Sequence, residues 1–150
     1  FSDKKAKLII VGEGEKIHTY KKKYSHDKIE FKGSLFEEEL VKIYHNASVF
    51  VFPSSVEAWG LVLNEAMSAS LPVIAHREVG ATHDLILGKD TGFVFEDWNE
   101  LETIMMKLYH DPNLCRKYSK NSISLMKNYW NYNLYERNLL GSIAKVKQWK

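Results

Sequence analysis

Cysteine occurs once in the 150 residues, at Cys115, so no disulfide can form within the chain. No CxxC or paired Cys/His spacing offers a structural zinc site either, and a reducing compartment is the expectation. Net charge is nearly absent. The 21 Lys and Arg against 19 Asp and Glu leave +2, too little to mark a nucleic acid partner. No apolar run approaches the roughly 20 residues of a membrane span, and Phe1 to Lys7 does not read as a signal peptide. Linkers, low-complexity tracts and internal repeats are lacking, and the length fits one domain on a prior of roughly 100–200 residues. An initiator Met is lacking too, and the chain is read as a piece of a longer protein.

What is there describes a folded α/β domain. Hydrophobic residues at 45% and charged residues at 27% permit a sizeable core. Residues 6–11 (AKLIIV) form a short apolar run ending in Gly12-Glu13-Gly14, the pattern of a buried parallel strand opening into a tight turn. Similar runs recur at Lys28–Lys32, Val49–Phe52, Pro72–Ala75 and Gly92–Phe95. Phe36–Ala47 carries Phe36, Leu40, Val41, Ile43, Tyr44 and Ala47 on one helical stripe, which predicts a surface helix covering a sheet. In Gly60–Ala69, Leu61, Val62, Leu63, Ala66 and Met67 leave almost no wholly polar face apart from Asn64 and Glu65, which predicts a buried helix. After Trp98 the pattern is helical only, over Asn99–His110, Pro112 to about Tyr129, and about Asn133–Lys147. Strands alternating with helices, joined by right-handed crossovers, give a doubly wound parallel sheet with a helical C-terminal tail. Ligands are then expected at the carboxyl ends of the strands.

The loop Pro53–Gly60 is the most informative of those ends. It places Glu57 at the mouth of a helix and Glu65 eight positions later within it. At about 1.5 Å rise per residue, Glu65 stands roughly 7 to 8 Å along the axis from Gly60. A carboxylate in an otherwise apolar helix is costly to bury unless donors meet it, and ligand hydroxyls are suitable donors. The free N–H groups of Gly60, Leu61 and Val62 form an anion site between the two carboxylates. The implied ligand has hydroxyls at both ends and phosphate in the middle, which is the layout of a nucleoside diphosphate sugar.

The run VFPSSVEAWGLVLNEAMSASLPVIA, with Glu57 and Glu65 as a Glu-x7-Glu pair, resembles the hallmark of retaining glycosyltransferases of family 4. LIIVGEGE is similar to that family's strand and Gly-x-Gly turn, and IEFKGSL to its next βα unit. VGATHDLI and TGFVF resemble its later loops, and Trp130 a recurrent tryptophan. The resemblance is strong over Ala6–Phe95 and looser in the helical tail. It implies the Rossmann-like, donor-binding half of a GT-B fold, lacking the first βα unit and the acceptor domain. It further implies that Glu57 is catalytic beside the donor sugar and that Glu65 holds the ribose. The backbone at Gly60, Leu61 and Val62 meets the diphosphate, and the main chain near Leu35 reads the base. Gly12, Gly14 and Trp59 complete the implied donor site. No metal or other cofactor is expected, because helix N–H groups and basic side chains neutralise the leaving diphosphate. The implied acceptor is a sugar or a lipid-linked molecule bound through the missing amino-terminal domain, in surface polysaccharide or glycolipid synthesis. The implied location is cytoplasmic, at the inner face of the membrane in one version. Two departures stand out: the family's Arg- and Lys-bearing first loop precedes this chain, and Asp84 stands where relatives often carry a Glu.

Plainer readings stand beside these. Glu57 also fits a solvated loop carboxylate, Glu65 a buried ion pair, and Gly12, Gly14 and Gly33 simple turn glycines with positive φ. Trp59 fits packing against a buried helix. His76, Glu78 and His83 match no standard zinc pattern. Lys21-Lys22-Lys23 reads as a solvated helix face or as a contact with an anionic membrane surface. Asn46-Ala47-Ser48 fits a glycosylation sequon but falls at a helix end before a buried strand. The rival functions are a non-catalytic nucleotide-sugar-binding module and a GT-B sugar-nucleotide epimerase or phosphorylase.

Overall fold

Residues 5–147 are described by the computed structural model, so the amino-terminal reading of Phe1 to Lys7 falls largely outside the described residues. The chain divides into two units, Phe1–Ile43 and Tyr44–Lys150.

In the first unit, β1 (Leu8–Val11) and β2 (Ile29–Gly33) pair in parallel, with Leu8 opposite Ile29 and Ile10 opposite Phe31. Parallel neighbours need a crossover, and α1 (Ile17–Lys23) supplies it. Lys21, Lys22 and Lys23 occupy its last turn, where cations suit the carbonyl end of the helix dipole. Gly12 has φ +122° and donates its N–H to the Gly33 carbonyl at 2.8 Å, so the turn after β1 demands glycine there. Gly14 does not share this need. It has no positive φ, and a Cβ on it would meet only open space, which corrects its reading as a positive-φ turn glycine.

The division between the units falls within α2 (Glu37–Asn46), whose first turn carries Glu37, Glu38 and Glu39 at the dipole's positive end. Of its expected apolar stripe Tyr44 is buried, whereas Phe36 and Val41 are exposed.

In the second unit, β3 (Phe50–Phe52), β4 (Val73–His76) and β5 (Gly92–Phe95) form a parallel sheet in the order β3-β4-β5. Central β4 has neighbours on both edges, and its Val73, Ile74 and Ala75 are fully buried. Around the sheet stand α3 (Leu61–Ser68), the short α4 (Thr82–Leu85), α5 (Trp98–His110) and α6 (Pro112–Tyr129), and α7 (Tyr132–Lys147) follows as the last helix of the described residues. Asp97 caps α5, accepting from Asn99 and Glu100 N–H groups at 2.8 and 2.9 Å. The helix then delivers Leu101, Ile104 and Leu108 to a core with Ile74, Phe95 and Tyr118. Asp111 caps α6 in the same way, with Pro112 at its first turn.

The fold is α/β with parallel strands, flanking helices and a helical tail, and each expected strand is found within two residues of its expected bounds. Hydrogen-bonded pairing is β1–β2 in one unit and β3–β4–β5 in the other, where the sequence reading placed all five strands in one sheet. Apolarity marks a strand but not its neighbour. Helix α4 was not anticipated, being a single turn without periodicity to read. Helix α3 departs from the expectation of full burial: Leu63, Ala66 and Met67 are buried, but Leu61 is 69% exposed and Glu65 lies on the exposed side.

Candidate functional site

Two loops at the carboxyl ends of β3 and β4 are joined by main-chain bonds. Glu57 forms a parallel bridge with Val79, the Gly80 N–H donates to the Glu57 carbonyl at 3.0 Å, and the Ala81 N–H donates to the Trp59 carbonyl at 3.0 Å. Gly80 is required by this approach, because a Cβ there would collide with the Ala58 carbonyl. Buried Val79 and Ala81 anchor the second loop from below, and the Thr82 hydroxyl donates to the Val79 carbonyl at 2.8 Å.

The first loop turns into α3 at Gly60. Its φ is +94°, and a Cβ would come within 3.0 Å of both the Phe52 ring and the Val79 side chain. The α3 start carries no side-chain cap and no acidic residue in its first turn. The amides of Leu61 and Val62 therefore remain open to an anion. Glu57 stands just before this turn, half-buried, with the Trp59 N–H donating to its Oε1 at the long distance of 3.5 Å. Glu65 stands one turn into the helix. Its Oε2 accepts from the Tyr44 hydroxyl at 3.1 Å. The expectation of a carboxylate buried in an apolar helix is corrected here, since α3 buries only the Leu63, Ala66 and Met67 side and leaves Glu65 accessible. Burial, reinforced by the Glu65 carboxylate, pushes the Tyr44 phenol well above its ordinary range, so it stays a donor.

Trp59 is held from two sides. Its Nε1–H donates to Asn64 Oδ1 at 3.0 Å, and its ring lies 5.2 Å from that of Trp130 at the end of α6. The second unit thus gathers Glu57, Trp59, Gly60, Leu61, Val62 and Glu65 at one corner between a loop and a helix. Gly12, Gly14 and Leu35 belong to the first unit, in the loops that follow β1 and β2. Tyr44 is the residue the sequence reading missed at this corner. It counted there as one more apolar position of the α2 stripe, and nothing local announces where its hydroxyl goes.

His76 Nδ1 accepts from the Glu78 N–H at 3.2 Å, while its ring meets Phe95 edge-on at 5.3 Å. His83 and Asp84 are exposed on α4. Among the described residues no group of three His, Cys, Asp or Glu is placed to hold a metal ion, and no helix is long and apolar enough to cross a membrane. A depression of about 320 Å³ lies where Ser48 and Pro72 precede β3 and β4, away from this corner.

Parallel strands with helical crossovers, and loops gathered at their carboxyl ends, place the chain in the Rossmann-like class. Within that class it belongs to the glycosyl transferases group 1 family, whose model matches residues 2–125. It is 38% identical over 112 residues to the sulfoquinovosyl transferase SQD2 of Arabidopsis thaliana, covering 71% of this chain and 22% of that protein. The capsular polysaccharide biosynthesis glycosyltransferase CapM of Staphylococcus aureus is 32% identical over 90 residues, covering 59% of this chain and 23% of that protein. Among solved structures, sucrose-phosphate synthase from Thermosynechococcus elongatus superposes with a TM-score of 0.81 at 25% identity, covering 96% of this chain and 39% of that one. Anabaena HepE in complex with UDP-glucose superposes at 0.76 and 18% identity, covering 93% and 41%. The chain thus spans about a quarter of the length of the two curated relatives.

Proposed function

We propose that this chain is the donor-binding part of a retaining family 4 glycosyltransferase, which moves a sugar from a nucleoside diphosphate sugar to an acceptor hydroxyl. One observation carries the reading: the uncapped start of α3 lies between two accessible carboxylates, Glu57 before it and Glu65 one turn within it. The amides of Gly60, Leu61 and Val62 take the diphosphate, Glu65 accepts from the ribose hydroxyls, and Glu57 orients the donor sugar. Trp59 supports the loop that carries Glu57. A solved relative in complex with UDP-glucose supports a nucleotide-sugar donor.

In this reading the bond between the anomeric carbon and the diphosphate oxygen breaks while the acceptor oxygen bonds to the same face of that carbon. The acceptor proton passes to the leaving phosphate. Charge growing on the diphosphate is met by the α3 amides and by basic side chains, rather than by a metal. No side chain at the corner is assigned a role as nucleophile or general base. The acceptor is a sugar or lipid-linked hydroxyl held by a further domain. Relatives named for capsular polysaccharide biosynthesis and for sulfoquinovosyl transfer support a polysaccharide or glycolipid product.

The test is transfer by the whole protein with Glu57→Ala. A loss of about a hundredfold or more in kcat is expected, the scale seen when a group that acts in the transition state is removed. Transfer at the unmodified rate rejects the role of Glu57, and an inverted product anomer, read by NMR, rejects retention.

A further inference from the structure

The hydroxyl of Tyr44 reaches across 21 residues of sequence to donate to Glu65 Oε2 at 3.1 Å. Tyr44 is 7% exposed, and its ring meets Phe50 edge-on with centroids 5.7 Å apart and planes at 73°. Phe50 in turn stacks on Phe52 at 6.1 Å, and the Phe52 ring lies against Gly60, the turn that opens α3. Three rings therefore run from the partner of Glu65 to the start of the helix that carries it. This packing leaves the tyrosine little freedom beyond the rotation of its hydroxyl.

Glu65 is the opposite case: it is exposed and has several rotatable bonds. An untethered carboxylate of this kind samples many rotamers, and ordering it on a ligand costs entropy. A carboxylate offers about four acceptor sites. The tyrosine takes one of them, on Oε2, and Oε1 stays available to hydroxyls of a ligand.

We propose that Tyr44 is a positioning residue for donor binding, whose hydroxyl fixes the Glu65 carboxylate in the rotamer that receives the ribose hydroxyls. The inference rests on the reading of Glu65 as the ribose anchor. Tyr44 itself touches no substrate. Its action is thus confined to the ribose: it strengthens binding of a ribonucleotide and is without effect on a nucleotide that lacks the 2′ and 3′ hydroxyls.

The whole protein is titrated calorimetrically with UDP, GDP and ADP and with their 2′,3′-dideoxy counterparts. Tyr44→Phe keeps the ring and its contact with Phe50, and removes only the hydroxyl. The expected result is about a tenfold weaker Kd for the ribonucleotide that binds, the scale of one hydrogen bond to a charged group. The dideoxy counterpart binds the two proteins alike, and in a Glu65→Gln background the tyrosine change adds no further loss. If Glu65→Gln weakens the ribonucleotide but Tyr44→Phe does not, the positioning role is overturned while the ribose-anchor reading stands. Equal weakening of both nucleotides by Tyr44→Phe also overturns it, as damage to packing. If Glu65→Gln binds as tightly as the unmodified protein, or no ribonucleotide binds at all, the ribose-anchor reading falls and the inference with it.

Discussion

The indole rings of Trp59 and Trp130 lie 5.2 Å apart, centroid to centroid, with their planes at 44°. One belongs to the loop that carries Glu57, and the other ends α6. The Asn64 side chain links the same parts, accepting from the Trp59 indole at 3.0 Å and donating weakly to Met126 Sδ at 3.8 Å. The helical tail therefore braces the loop of the candidate site, although no residue of α6 stands among the donor-site residues proposed here.

Replacing Trp130 with Ala should loosen that brace. An aromatic pair contributes about 0.5–1.5 kcal/mol beyond its buried area, so a loss of about 1–2 kcal/mol is expected for a ring that is 40% exposed. Urea denaturation measures it. Limited proteolysis should then find new cleavage within Pro53–Gly60, and an unchanged digestion pattern would count against the brace.

The glycines should separate by what surrounds them. A Cβ on Gly92 would collide with the Val73 carbonyl of the central strand, which cannot retreat. Gly92→Ala is expected to cost about 3 kcal/mol or to prevent folding. Gly80→Ala should force apart the loops that meet at Ala58. Gly14→Ala enters open space at an ordinary φ, and its stability should stay within about 0.5 kcal/mol of the unmodified protein. Urea midpoints for the three variants provide the comparison.

Acid should act on the first unit through Glu30. Hydrogen bonds from Lys32 and then Lys7 hold its carboxyl at about 2, against an ordinary 4.5. Because the folded value is the lower one, the contribution is fully present above about pH 4.5 and is lost as pH falls toward 2. The groups are open to solvent, so the effect is small and weakens with salt. Glu30→Gln should remove that part of the acid dependence, read from amide exchange at Leu8–Val11 between pH 4.5 and 2. An acid limb unchanged by the substitution would exclude the mechanism.

The sequence by itself determined the strands, most of the helices and the residues of the loop-to-helix corner. Short apolar runs ending at Gly12 or Pro53, a Pro at the start of α6 and the helical pattern of α5 are local patterns, and local geometry reads them directly. Glu57, Gly60 and Glu65 fall together because nine consecutive residues of one loop and one helix hold them. Tertiary structure alone decided which side of α3 faces the core, since an apolar composition cannot tell exposed Leu61 from buried Leu63. It also decided that Glu57 pairs with Val79, that Trp59 meets Trp130, and that Tyr44 reaches Glu65. Each of these contacts joins segments 20 or more residues apart, whose approach depends on which strands become neighbours and how helices cross them. Periodicity within a turn or a strand carries no record of that.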